Sequence, residues 1–212
     1  LDQSLKRLGL DYVDIFYHHR MDPETPLEET MLALDQIVRS GKALYVGISN
    51  YDGATLARAT AILEELHTPF IINQNRYSIF DRTIEKNGLK ATARTLGKGI
   101  IAFSPLAQGL LTDRYLNGLP DDSRAVKSGK FLNPKDITDA VLQKVAALNQ
   151  IALNHGCTLS QLALKWVLKD SDLTSVLIGA SRPSQIIDNA GIVGIAPLTE
   201  EELAEIERVV GA

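Results

Sequence analysis

The chain has 212 residues, 45% of them hydrophobic and 23% charged, with a formal net charge of −4 and one cysteine. That is the composition of a globular protein long enough for one large domain or two small ones. A weakly acidic chain without a Lys/Arg stripe gives no field to hold a nucleic-acid backbone, no apolar run nears the ~18 residues that span a bilayer, and Cys157 alone can form neither an intrachain disulfide nor a cysteine metal cluster.

Nucleic acid, membrane and metal are therefore not expected as partners, and a reduced cytoplasmic setting fits the cysteine usage. The first segment, LDQSLKRLGL, starts without methionine, reads as the end of a helix and is no secretory signal. A strand follows at 11–18 (DYVDIFYH), where Val13, Ile15 and Tyr17 alternate with Asp14 and Phe16. His18 and His19 stand at its end. Thr25-Pro26-Leu27-Glu28 has the form of a capping box with proline at the first helical position, ahead of a stripe of Leu27, Met31, Leu34 and Val38 that should stop near Gly41.

The alternation repeats. Strands are expected at 43–49 (ALYVGIS), 69–75 (PFIINQN), 99–105 (GIIAFSP) and 174–180 (TSVLIGA), and their nearly continuous apolar runs suggest burial on both faces, as in a parallel sheet. Helices are expected at 52–66, 83–97, 137–156 and 159–170, with Cys157 as a small helix residue. Thr199 and Glu202 form a further capping box before the last helix. From Leu110 to Ile137 the pattern gives way to Gly, Pro, Asp and Lys, which reads as a long loop. Five strand–helix units leave an open doubly wound sheet and a (β/α)₈ barrel both available.

Strand ends are where such folds place ligands. Ser49-Asn50-Tyr51 could be only a capped turn. Asn73-Gln74-Asn75 is less easily dismissed, because buried amides need partners, and a ligand carboxamide supplies both donor and acceptor. Phe103 is either core or a flat platform for a heteroaromatic ring. Gly179-Ala180-Ser181-Arg182, ahead of a helix, could hold a phosphate through backbone N–H groups and charge. No G-x-G-x-x-G or Walker sequence is present.

Taken together, YVDIFYHHR, GKALYVGISNY, INQNRYSIF, AFSPLAQGLLT and SVLIGASRPSQ resemble the aldo-keto reductase superfamily. Within it the chain is similar to the branch holding L-glyceraldehyde-3-phosphate reductases and potassium-channel β-subunit-like proteins. The resemblance implies a (β/α)₈ TIM barrel binding NADP(H), of which residues 1–212 supply the last five strand–helix units as a single, incomplete domain. His19 falls on the catalytic histidine that orients the substrate carbonyl. Ser49, Asn50 and Gln74 fall on the nicotinamide-carboxamide contacts, and Phe103 on the ring that stacks against the nicotinamide. Ser104, Pro105, Leu106 and Gln108 match the pyrophosphate and ribose contacts. Arg114 and Arg124 match basic positions near the cofactor, while Gly179, Ser181, Arg182, Gln185 and Asn189 match its adenosine-phosphate end.

The chain departs from the family in two places. GASR stands where many members carry a lysine-serine pair, as in the channel-β-like branch. The family's catalytic tyrosine, aspartate and lysine precede the first strand seen here, and none of Tyr12, Tyr17, Tyr45, Tyr51, Tyr77 or Tyr115 has the required surroundings. The implied activity is NADP(H)-dependent reduction of small, phosphorylated or methylglyoxal-like carbonyl substrates, with residues 1–212 alone inactive. Self-association into a homo-oligomer is compatible with it. The alternative is a cofactor-binding regulatory subunit like the channel β-subunits.

Overall fold

The computed structural model of the chain describes residues 1–116, 135 and 137–211. Five strands, β1 (Val13–His18), β2 (Ala43–Ser49), β3 (Phe70–Arg76), β4 (Gly99–Phe103) and β5 (Ser175–Leu177), form one sheet in the order β1-β2-β3-β4-β5. β1 and β2 pair in parallel, as do β2 and β3, placing His18 opposite Ile48 and Ser49 opposite Gln74. A doubly wound sheet reverses at a switch point, so its strands do not appear in chain order. The unbroken order here is that of successive units of a (β/α)₈ barrel, which resolves the choice left open by periodicity.

Two strand expectations need correction. β5 has three residues rather than seven: in this sheet it lies beside β4 alone, and the pairing stops before Gly179, whose glycine weakens a strand. Nor are the strands buried on both faces: Phe70 and Ile72 are buried, but Ile71, on the opposite side of the pleat, is 37% exposed.

The described residues form two compact units. The first comprises Leu1–Arg76, Thr83–Ile101 and Asp172–Ser175. Its helices are α1 (Asp2–Leu8), α2 (Leu27–Arg39), α3 (Gly53–Glu65), α4 (Thr83–Lys86) and α5 (Leu89–Leu96). α2 buries Leu27, Met31 and Leu34 as its stripe requires, but its N-cap is Pro26, without a side-chain cap. The expected capping box is absent: the helix is capped one residue later than expected, at Pro26, and Thr25 Oγ1 lies outside it, donating to Asp22 Oδ2 at 2.8 Å. The helix expected at 83–97 is likewise two helices. Gly88 adopts φ +78° at the break, Gly53 N–H donates to Asn87 O at 3.2 Å, and a Cβ on Gly53 would stand 2.6 Å from the Gly88 carbonyl carbon. The start of α3 thus occupies the space that a continuous helix would fill.

Two buried carboxylates brace this unit. Asp35 accepts from Thr68 Oγ1 and from Arg39 Nε, each at 2.6 Å. Asp172 accepts from Arg94 Nε at 2.7 Å and Nη2 at 2.5 Å, with Lys90 Nζ 3.4 Å away. The Thr68 hydroxyl, then Arg39, holds Asp35 below its ordinary 3.8, and the Arg94 bond does the same for Asp172. A carboxylate depressed on folding contributes stability above its unfolded pKa, and this is lost as pH falls through the lower folded value. Thermal midpoints are therefore expected to be flat from about pH 7 to about pH 5 and to fall below about pH 4. Asp172→Asn should fall less steeply; an equal slope in the variant would remove Asp172 from the acid response.

The second unit comprises Tyr77–Arg82, Ala102–Ser171 and the chain from Val176 onward. It contains α6 (Asp139–Asn154), α7 (Leu159–Val167), α8 (Pro183–Ala190) and α9 (Glu200–Val210). Thr138 caps α6, and Thr158 with Gln161 and Thr199 with Glu202 form capping boxes on α7 and α9. Cys157 lies in the turn between α6 and α7 rather than in a helix, since α7 begins only after the Thr158 cap; it is a buried free thiol. Trp166 is fully buried, with Lys169 Nζ 3.7 Å and the Arg82 guanidinium carbon 4.5 Å from its ring and Tyr77 packed against it. Of the expected loop, Tyr115 sits in a 3₁₀ turn and packs with Leu110.

Candidate functional site

In the first unit, the ends of β1, β2 and β3 meet at the turn Ser49-Asn50-Tyr51. Asn50 adopts φ +64°, a left-handed conformation that asparagine tolerates better than most residues. Its backbone N–H donates to Gln74 O at 3.0 Å and to Asn75 Oδ1 at 2.9 Å, and its Nδ2 donates to His19 O at 2.9 Å and Ser49 Oγ at 3.0 Å. Ser49 Oγ in turn donates to Gln74 O at 2.8 Å. One turn therefore ties both neighbouring strand ends.

The two histidines differ in surroundings. His18, the last residue of β1, is half-buried, with Nδ1 2.9 Å from the Tyr51 hydroxyl. Burial, then the neighbouring His19, holds its pKa below the usual value. His19 lies just beyond the strand, exposed, and its ring hydrogen-bonds no other described residue. Its main chain is fixed while its imidazole is available.

The three consecutive carboxamides divide by the two-residue period of the strand. Asn73 and Asn75 are buried and both donate from Nδ2 to Tyr51 O, at 3.3 and 2.9 Å. Gln74, pointing to the other face, is half-buried, and its carboxamide bonds no other described residue. Asn73 and Asn75 are thus tied into the scaffold through Nδ2, with the buried Oδ1 of Asn73 accepting from no described residue, and the half-buried amide that faces a ligand from the other side is that of Gln74. Tyr51 and Asn75 carry much of the network, although the family resemblance gives neither of them a role. The signal was the odd–even split of 73–75 beside the aromatic after Asn50.

In the second unit, Phe103 ends β4 and accepts from Tyr77 N–H at 3.3 Å through its carbonyl. Ser104, Ala107 and Gln108 follow with φ of +54°, +47° and +61°. Five described non-glycine residues have positive φ, and four of them are in the 49–51 turn or this segment. Backbone in such regions costs ~1–3 kcal/mol per residue and gathers at functional sites. Gln108 Nε2 donates to Ser104 Oγ at 2.9 Å; Pro105 is buried and Leu106 half-buried. Arg114 is exposed in the Asp113–Tyr115 turn, whereas Arg124 lies outside the described residues.

Also in this unit, Gly179, Ser181 and Arg182 are exposed ahead of α8, and Asn189 is buried within it. Nothing lies within 4 Å of where a Cβ on Gly179 would stand. Gln185 Oε1 accepts from Ser181 N–H at 2.7 Å, Ser181 Oγ at 3.2 Å and Arg182 N–H at 3.3 Å. Of the backbone donors expected to meet a phosphate, those of Ser181 and Arg182 already have an acceptor. A phosphate there would have to displace the Gln185 carboxamide.

Comparison with known proteins adds an independent line. The residue profile described as "Aldo/keto reductase family" matches residues 1–210. The L-glyceraldehyde 3-phosphate reductase of Escherichia coli strain K12 is 48% identical over 211 residues, covering 98% of this chain and 61% of the relative. The "Probable voltage-gated potassium channel subunit beta" of Arabidopsis thaliana is 38% identical, covering 98% and 64%. A crystal structure of a thermostable aldo-keto reductase in complex with the inhibitor epalrestat superposes with a TM-score of 0.75 at 30% identity, covering 98% of this chain and 64% of that one. The chain thus spans a little under two thirds of the length of these proteins.

Proposed function

Because the chain belongs to the aldo/keto reductase family, we propose that it forms the cofactor cradle and the substrate-orienting histidine of an NADP(H)-dependent reductase of small aldehydes, phosphorylated ones such as L-glyceraldehyde 3-phosphate included. One observation carries this reading. Asn50 hydrogen-bonds the main chains of both Gln74 and His19, so one residue couples a half-buried carboxamide that bonds no other described residue to an exposed imidazole. The free donor and acceptor of Gln74 complement those of a nicotinamide carboxamide. The Oδ1 of Asn50 remains available beside it.

In this reading Gln74, Ser49 and Asn50 hold the carboxamide, and Phe103 and the 104–108 segment take the ring and the pyrophosphate. When bound, the dinucleotide supplies the hydride that reduces the carbonyl carbon. His19 donates a hydrogen bond to the carbonyl oxygen and fixes it against that hydride, as positioning demands. The proton for the resulting alkoxide comes from the tyrosine that the family resemblance places before residue 1. Tyr51 is no substitute: it is 2% exposed, and burial pushes its hydroxyl up to about 12.

Among the described residues no helix is long and apolar enough to cross a membrane, and we assign the protein to the cytoplasm. The 38% identity to the channel subunit supports a second reading, a cofactor-binding regulatory subunit. Turnover separates the two.

The test is calorimetric titration of the whole protein with NADPH and NADH, alongside an aldehyde-reduction assay. NADPH should bind more tightly, and Gln74→Ala should weaken both cofactors about tenfold, the loss of one hydrogen-bonded group at ~1.4 kcal/mol. Arg182→Ala should narrow the preference, since a guanidinium can engage a 2′-phosphate bidentately. Absence of binding to either cofactor would sink both readings; binding without turnover would leave only the regulatory one.

A further inference from the structure

We propose that Tyr51 is a positioning residue that sets His19 for catalysis without touching substrate or cofactor. The inference rests on the functional reading above and names how that histidine is held.

The peptide carrying His19 is anchored on both sides by consecutive residues of one turn. On the N-terminal side, the His18 ring meets the Tyr51 hydroxyl at 2.9 Å, with the two rings edge-to-face at 75° and centroids 6.0 Å apart. On the C-terminal side, His19 O accepts from Asn50 Nδ2 at 2.9 Å. Tyr51 is 2% exposed, so its hydroxyl has no water to fall back on. Its carbonyl is also committed, accepting from both Asn73 and Asn75. The residue thus joins β1 through its side chain and β3 through its main chain.

These two attachments have separable consequences. Among the described residues the hydroxyl bonds only the His18 ring, so its removal frees that ring and relaxes the His18–His19 peptide on one side, while the β1–β2 pairing and the Asn50 bond to His19 O remain. The contacts of Tyr51 O and of Asn50 N–H with β3 are main-chain contacts, which Tyr51→Phe leaves in place, and the ring still fills its buried position. The effect should therefore fall on carbonyl orientation and leave the cradle around Gln74 intact. Pre-organisation of this kind is worth little in the ground state and more as the reacting atoms align.

The experiment compares Tyr51→Phe, His19→Ala and the double variant in the whole protein. Tyr51→Phe is expected to lower kcat about tenfold, with cofactor Kd within about twofold of wild type. The double variant should be no slower than His19→Ala alone, because Tyr51 acts through His19. A purely structural role would instead multiply the two losses. Imidazole NMR provides a readout independent of turnover, since the chain has four histidines: Tyr51→Phe should shift the His18 and His19 signals while His67 and His155 stay in place. Unchanged kcat in Tyr51→Phe, multiplicative losses or an unmoved His19 signal would each overturn the proposal. If His19→Ala keeps full activity while Tyr51→Phe still moves the His19 signal, the positioning stands and the functional reading fails.

Discussion

His19→Ala is expected to lower kcat/KM for aldehyde reduction by ~10²–10³ while leaving the dissociation constant of the nicotinamide cofactor nearly unchanged; such a loss is typical of removing one donor to a developing oxyanion. The geometry gives the reason for the split. The cradle residues Ser49, Asn50 and Gln74 are tied to one another mainly through main-chain groups, and the only His19 atom in that network is its carbonyl oxygen, which alanine retains. Only the exposed imidazole is lost, and it bonds no other described residue. Stability should hardly change. Steady-state kinetics and calorimetry on the same preparation check the result. A matching loss of cofactor affinity would place His19 in the dinucleotide site instead.

Asp172→Ala should cost the first unit about 3 kcal/mol of stability, the low end for breaking a buried ion pair. The carboxylate side chain is 3% exposed and faces two cations. Removing the carboxylate takes a bidentate acceptor from Arg94, 68% exposed, and a counter-charge from Lys90, 12% exposed. For a chain of this size the loss corresponds to a drop of ~6–12 °C in the thermal midpoint. Urea denaturation followed by far-UV circular dichroism measures it. A change under about 1 kcal/mol would mean that the pair behaves as a solvent-screened surface contact.

Much of the scaffold was legible in the sequence because its causes are local. β-branched runs marked β1 to β4, and Gly41 and Gly97, both in left-handed conformation, marked where α2 and α5 stop. What failed has tertiary causes. Thr25 has the form of a cap, but α2 is capped one residue later, at Pro26, leaving its hydroxyl to Asp22. The run from Thr83 to Gly97 carries a continuous helical pattern, and only the approach of Gly53 to Gly88 explains its break. Periodicity shows strand–helix alternation but not the direction in which each crossover advances, so the sheet order had to come from the structure. At the site, the sequence singled out the three carboxamides without separating Gln74 from its neighbours, because that division depends on which face each amide takes. His18 and His19 have the same chemistry on paper. The buried phenol beside one of them makes them different.

Trp166 has a bearing on how unfolding of this protein is observed. It is the only tryptophan in the chain, and it is fully buried in the second unit with the cationic groups of Arg82 and Lys169 over its ring. Intrinsic fluorescence excited selectively at indole therefore reports on that unit, and every residue of the Asp35 and Asp172 clusters is optically silent in it. A single smooth emission transition would describe the indole surroundings and could pass for whole-chain cooperativity. Coincidence with a backbone signal is the criterion for all-or-none unfolding. A tryptophan introduced at exposed Leu44 of β2, in a background lacking Trp166, would give the first unit an emission signal of its own.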